Sequence, residues 1–330
     1  MTQQWPRRAV GLGLLAAALG LAAAASQAAE PKTYPDQMIR LVVPFTAGGS
    51  SDVQARMLAD RLGKLYKQPV VVENRPGAGG HIGGKFVADA PADGYTLLLG
   101  SVGLHATYGV FKKLSYDPAK DLKVITVLAE MPHVVVATPS LPAGDLKQLV
   151  ALARKAPDTL NFGSAGVGSS VHMIGELFRI SADAPIVHVP YKGSSAALND
   201  LLAGQIQLMF ENPPTTLAHI RGGKLKALAM TGKTRLPALP EVPTAIEAGF
   251  PAFEATSWTT VAASARLPDA IADRLNADIR RIVSSSEFAQ GLAEQGMTPV
   301  ASTREAATRF VAAEKLRWDK VIQQGRIAAE

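Results

Sequence analysis

The sequence predicts an α/β protein of two lobes, each a mostly parallel sheet flanked by helices, with a cleft between them. Three observations predict it. Short apolar runs alternate with helical patterns in two successive sets. Gly- and Ser-rich loops follow several of those runs, where open sheets receive ligands. A Pro-rich stretch from Pro237 to Pro251 then breaks the alternation before a further extended segment and closing helices.

In order, Met38 to Val43 reads as a strand, ended by Pro44 and the Gly48-Gly49-Ser50-Ser51 loop, and Val53, Met57, Leu58 and Leu62 space out a helix. Pro69 to Val72 is a second strand leading into a Gly-rich loop from Arg75 to Gly84. After the Asp93-Gly94 turn, Tyr95 to Leu99 is a third. Extended segments follow at 124–128 and 134–138. The second set comprises helices at 145–155, 169–180 and 194–203, with strands at 160–163, 186–189, 206–210 and 225–230. Ser257 to Ala263 is extended, and two or three long amphipathic helices close the chain. This places one lobe at 29–130 with 255–330 and the other at 131–254, so that the chain crosses the hinge twice.

The amino terminus pairs Arg7 and Arg8 with an apolar run from Ala9 to Ala25 and a Ser26-Gln27-Ala28 cleavage signal, which reads as a secretory signal peptide over 1–28. The run falls short of the roughly 20 residues of a spanning helix. A retained anchor is the alternative, and the paired arginines leave the export route open. Removing residues 1–28 leaves 32 basic against 28 acidic residues, a charge of +4, which suits anionic ligands and argues little for nucleic acid. The chain has no cysteine, which excludes a lipidated cysteine, a disulfide framework and Cys-ligated metal. The six histidines show no metal-site spacing, and no cofactor is expected.

The loops carry the chemistry. In Phe45 to Asp52, glycines expose amides just before a helix whose amino end is electropositive, a receiver for carboxylate or phosphate. Asp52 is expected to cap that helix. Gly77 to Gly84 places Ile82 at the third glycine of a dinucleotide fingerprint, which argues against one, and leaves packing and ligand contact both open. Asn161 to His172 offers three hydroxyls and free amides at a strand-to-helix joint, the best anion site in the chain. Without a G-x-S-x-G elbow, His172 is expected to brace this loop. Tyr191 and Lys192 open another helix. Glu211 ends a strand, where it either accepts hydrogen bonds from a ligand or is solvated at the lobe edge.

These loops carry a resemblance that spans nearly the whole mature chain. It runs through Pro44 to Gly49 with Asp52 and Arg56, Glu73 to Gly80, Ala90 to Leu97, Tyr116-Asp117-Pro118, Gly163 to His172, Val189 to Gly193, Asp200 to Gln205, and Leu239 to Thr244 with Glu247-Ala248-Gly249. The chain resembles the Bug proteins, the extracytoplasmic solute receptors of tripartite tricarboxylate transporters. The resemblance implies a type II periplasmic-binding fold whose lobes close on a small organic carboxylate, without catalysis, in the periplasm and as a monomer. The partner it implies is a two-subunit membrane permease, or a sensor kinase in its place. It also implies ligand contacts at Phe45, Ala47, Gly48, Ser50, Ala78, Ser101, Ser164, Gly168, Ser169, Tyr191 and Glu211. Departures from the family pattern at Glu211, where Asp is common, and at Val167 are expected to retune ligand choice. Thr259-Thr260 after Trp258 bears on the hinge. The rival readings are an aromatic-carboxylate receptor and an exported hydrolase using Ser169 and His172.

Overall fold

The computed structural model describes Thr2 and residues 34–329; the signal peptide expected over 1–28 therefore lies, Thr2 apart, outside the described residues. Among the described residues, 37–329 belong to one compact unit. Its first six-stranded sheet contains β1 (Ile39–Val43), β2 (Val70–Asn74), β3 (Thr96–Ser101), β4 (Leu122–Pro132), β10 (Thr256–Ser264) and β11 (Thr298–Pro299), in the order β11-β4-β10-β3-β1-β2. The second contains β5 (Val134–Ala137), β6 (Asn161–Ser164), β7 (Val187–Pro190), β8 (Leu208–Glu211) and β9 (Lys226–Met230), in the order β7-β6-β8-β5-β9.

Both sheets are mixed where mostly parallel ones are expected. The strands of each βαβ set are parallel: β1 with β2 and β3, β6 with β7 and β8. The strand inserted beside the third member is antiparallel in both cases, β10 against β3 and β5 against β8. Each inserted strand arrives from the other lobe. The pleat gives no warning of this, since buried parallel and antiparallel strands read as the same apolar runs.

The passage between lobes is short and stitched. His133 alone separates β4 from β5. Its amide donates to the Thr231 hydroxyl at 2.8 Å, its carbonyl accepts from Thr231 N at 2.9 Å, and the Thr231 hydroxyl donates to Ala255 O at 2.6 Å. Thr231, just after β9, therefore bridges the outgoing and returning segments at the crossing.

The helices follow from capping and apolar spacing. α1 spans Ser50–Tyr66, α2 His81–Asp89, α3 Val102–His105, α4 Pro118–Asp121, α5 Leu146–Lys155 and α6 Ser170–Ser181. α7 spans Ser194–Leu202, α8 Pro213–Arg221, α9 Asp269–Val283, α10 Ser286–Glu294 and α11 Arg304–Gly325. α5 shows the logic: Asp145 accepts from Gln148 N while Gln148 Oε1 takes Gly144 N, and Leu146, Leu149, Val150 and Ala153 are buried on one face. Four helices are absent from the sequence reading, the one-turn α3 and α4 and the longer α2 and α8. α2 contains Gly83 and Gly84, poor helix formers, because a Cβ at Gly84 would collide with the Tyr116 hydroxyl and Leu104. α8 opens on Pro213-Pro214, which punctuate a sequence as breakers yet fit the first turn of a helix, where no amide partner is needed.

The main core joins α5, α6 and one face of the second sheet through Phe162, Phe178, Phe210 and Phe253. Trp318 and Ile322 of α11 belong to it. The closing helix thus packs on α6 as well as on β4. Val134, Val136, Ala197 and Leu201 pack the other face of the second sheet, and Val42, Val87 and Leu98 form a separate cluster in the first lobe. No helix among the described residues is long and apolar enough to cross a membrane.

Candidate functional site

The loops after β1, β6, β7 and β8 deliver four helix amino ends, those of α1, α6, α7 and α8, to one narrow cavity of about 30 Å³, room for on the order of two waters. Gly49 and Ser50 reach it from α1, Ser169 and Ser170 from α6, Ser194 from α7, and Asn212 from α8. Each of these helices has nine residues or more, so their first-turn amides and dipoles present positive potential. Thr46, Ser50, Ser51, Ser101, Ser169, Ser170, Ser194, Ser257 and Thr259 add hydroxyls, and Phe45, Met131 and Trp258 form apolar walls. Among the described residues no ionisable side chain lines it.

Two of those hydroxyls have no hydrogen-bond partner: Thr46 Oγ1 and Ser101 Oγ are buried and unsatisfied. A buried polar atom costs free energy until something pairs with it. Both point to a polar guest.

Of the eleven expected contact residues, Phe45, Ser50, Ser101 and Ser169 line this cavity. Ala78 and Tyr191 instead line a second cavity of about 650 Å³, with Gly79, Val167 and Lys192. The remaining five line neither. Ala47 offers its carbonyl to the Ser195 hydroxyl at 3.0 Å, and the Gly48 amide is held by Asp52 at 3.0 Å. Asp52 does not cap the α1 amides themselves: it lies in the first turn and reaches back past the N-cap Gly49 to the Gly48 amide, and it is held by Arg56 and Asn74. These donors outweigh the opposing effect of burial and keep its pKa below the usual value. Ser164 accepts from Gly166 N and bonds His188 Nε2 at 2.6 Å. Gly168 O accepts from Thr107 across the cleft at 2.5 Å.

Glu211 is wholly buried, so the solvated-edge reading of it does not hold. Its Oε1 accepts from Asn212 N at 2.8 Å while Oε2 has no partner. Burial pushes its pKa up to about 7, against the opposing pull of the Asn212 amide and the Ser194 and Thr215 hydroxyls.

Ser169 and His172 form no nucleophile-base pair. The Ser169 hydroxyl donates to Gly166 O at 2.7 Å and accepts from the His172 backbone amide, while His172 Nδ1 accepts from Gly168 N at 3.1 Å. The ring braces the loop, as expected, and stacks on His188. No metal-binding cluster of His, Cys, Asp and Glu occurs among the described residues.

Sequence reasoning missed Asn212, Ser257 and Thr259 as site residues. Asn212 ends a strand already read as one, which was the available signal. Ser257 and Thr259 sit on β10, and no local pattern says that this strand inserts beside β3 at the cavity.

The two lobes, their double crossing and the helix amino ends around a shared cleft define a two-lobe solute-binding protein. The chain belongs to the tripartite tricarboxylate transporter family receptor group, TctC, which it matches over residues 54–327. It is similar to BugT of Bordetella pertussis, 38% identical over 315 residues and 95% of each chain. It is also similar to a solved R. palustris protein with adipate, at 38% identity and TM-score 0.87, covering 89% of this chain and 99% of that one. MatC from Rhodopseudomonas palustris with bound malate aligns at 33% identity and TM-score 0.83, over 88% of this chain and 100% of that one.

Proposed function

We propose that this chain is exported to the periplasm and captures a small organic carboxylate between its lobes for delivery to a two-subunit membrane permease. The observation that carries the reading is the cavity bordered by four helix amino ends and by hydroxyls, with no charged side chain. Such a site holds an anion by neutral, preorganised donors and leaves it exchangeable. The adipate and malate of the two related structures fit the same chemistry.

The lobes are taken as 29–130 with 255–330 and 131–254; the division of strands between the two sheets supports this reading. Residues 1–28 are the leader removed on export. Capture needs no covalent step, and the Ser169 hydroxyl, donating to a backbone carbonyl, is not poised as a nucleophile. Ligand specificity involves the loops already named, Phe45 to Ser51 and Ser164 to Ser169.

A thermal-shift screen tests the reading. Malate, adipate, longer and shorter diacids, tricarboxylates, amino acids and benzene carboxylates are compared, and a ligand of the native state raises Tm by mass action. One aliphatic carboxylate standing clear of the rest supports the proposal, whereas no shift with any carboxylate refutes it.

A further inference from the structure

Asn212 holds three elements together with one side chain. It is 5% exposed, borders the cavity and is the N-cap of α8. Its Oδ1 accepts from the Ser50 hydroxyl at 3.0 Å, a bond from the second lobe to the first turn of α1 in the first. Its Nδ2 donates to His133 Nε2 at 2.9 Å and to Ser257 Oγ at 3.1 Å. His133 is the outgoing crossing residue and Ser257 lies at the start of β10, the returning strand.

The orientation of this amide is determined by its neighbours. His133 Nδ1 lies 2.6 Å from Phe210 O, which can only accept, so the ring proton sits on Nδ1 and Nε2 is an acceptor. Nε2 therefore requires the Asn212 NH2, and a flipped amide would set its oxygen against a lone pair. With both amide hydrogens directed at the crossing strands, the oxygen is left aimed at Ser50.

We infer that Asn212 is the latch of lobe closure, a positioning residue that joins both crossing strands to Ser50 and sets the balance between open and closed forms. Two further cross-cleft bonds, from Ser195 in the first turn of α7 to Ala47 O and from Thr107 to Gly168 O, touch neither crossing strand. Asn212 alone among these groups couples the hinge to the mouth. Separation of the lobes stretches the Ser50 bond, which spans them, whereas the bonds to His133 and Ser257 lie at the crossing itself.

The test uses the absence of native cysteine. Spin labels are attached at Lys113→Cys and Lys224→Cys, one exposed position on each lobe, and the interlabel distance distribution is measured without ligand and with malate or adipate. Asn212→Ala is expected to enlarge the long-distance population severalfold without ligand and to speed release of a bound diacid about tenfold. Ser50→Ala is expected to do the same, the double variant no more than either alone, and Ser50→Thr, which keeps the hydroxyl, to restore the wild-type distribution. Should Asn212→Ala fail to fold, the Ser50 pair carries the test. Unchanged ligand-free distances in Ser50→Ala overturn the latch. The inference rests on the capture reading only in its ligand arm: if neither diacid binds the wild type, the choice of ligand fails while the ligand-free distances still decide the latch.

Discussion

The rings of His172 and His188 stack with centroids 3.9 Å apart and planes 30° from parallel, one at the start of α6 and the other on β7. His188 bonds Ser164 and His172 holds the Gly168 amide, so the pair supports both ends of the loop that brings Ser169 to the cavity. Burial keeps both neutral, with His172 pushed down to about 3, also by His188 and Arg179, and His188 to about 4.

A pH dependence of stability follows from that pair. A histidine whose folded pKa lies below its unfolded 6.5 takes up its proton first in the unfolded chain, so stability is complete above 6.5 and is lost as pH falls toward 3 to 4. Each such group contributes a slope of up to about 1.4 kcal/mol per pH unit. Denaturant melts of His172→Gln between pH 7 and 5 are expected to show a shallower loss than the wild type. Parallel losses in the two proteins would contradict the neutral assignment.

Glu211 acts with the opposite sign. Its folded value of about 7 lies above its ordinary 4.5, so the folded chain holds the proton longer, and stability declines as pH rises from 4.5 through 7. Glu211→Gln removes a buried carboxylate that must ionise at high pH. It is expected to raise stability at pH 8 by up to about 3 kcal/mol and to change little at pH 5. Titration calorimetry in buffers of different ionisation enthalpy supplies a second readout, since proton uptake on binding an anion should vanish in the variant.

The unpartnered hydroxyls give a prediction that separates binding from folding. Ser101→Ala and Thr46→Val each remove a buried oxygen that has no bond in the protein, so Tm without ligand is expected to hold or rise slightly. Affinity for the best carboxylate of the screen is expected to fall about tenfold for each, the weight of one hydrogen bond to a charged group. Calorimetric titration distinguishes this from a loss of Tm with unchanged affinity, which would mean a packing role.

Gly79 sits where the backbones of the two lobes come close together. It has φ of +62°, and a Cβ there would collide with the Val167 carbonyl and crowd Phe111. Gly79→Ala is expected to hold the lobes apart, weakening capture through faster release, at a cost of about 1–2 kcal/mol from the left-handed backbone. Stopped-flow release rates and scattering profiles check it, and a variant that releases ligand at the wild-type rate shows that closure does not pass through this contact.

The sequence by itself determined the elements whose cause is local. Strands such as β1, β3 and β6 follow from apolar runs, α5 and α6 from caps and spacing, and the amino ends of α1 and α6 from glycines and serines placed before a helix. The order of matched motifs, each weak alone, was enough to identify the family later shown over residues 54–327. Only the tertiary structure decided which strands lie antiparallel, that α11 packs on α6, and that His172 meets His188. The same holds within the site: Ser164 and Gly168 spend their polar groups on the protein, while Asn212 and the β10 residues Ser257 and Thr259 face the cavity. The physical reason is that hydrogen-bond capacity is finite and is assigned by neighbours in space. A hydroxyl or amide can be counted from the sequence, but whether it remains free for a ligand depends on groups brought to it by distant parts of the chain.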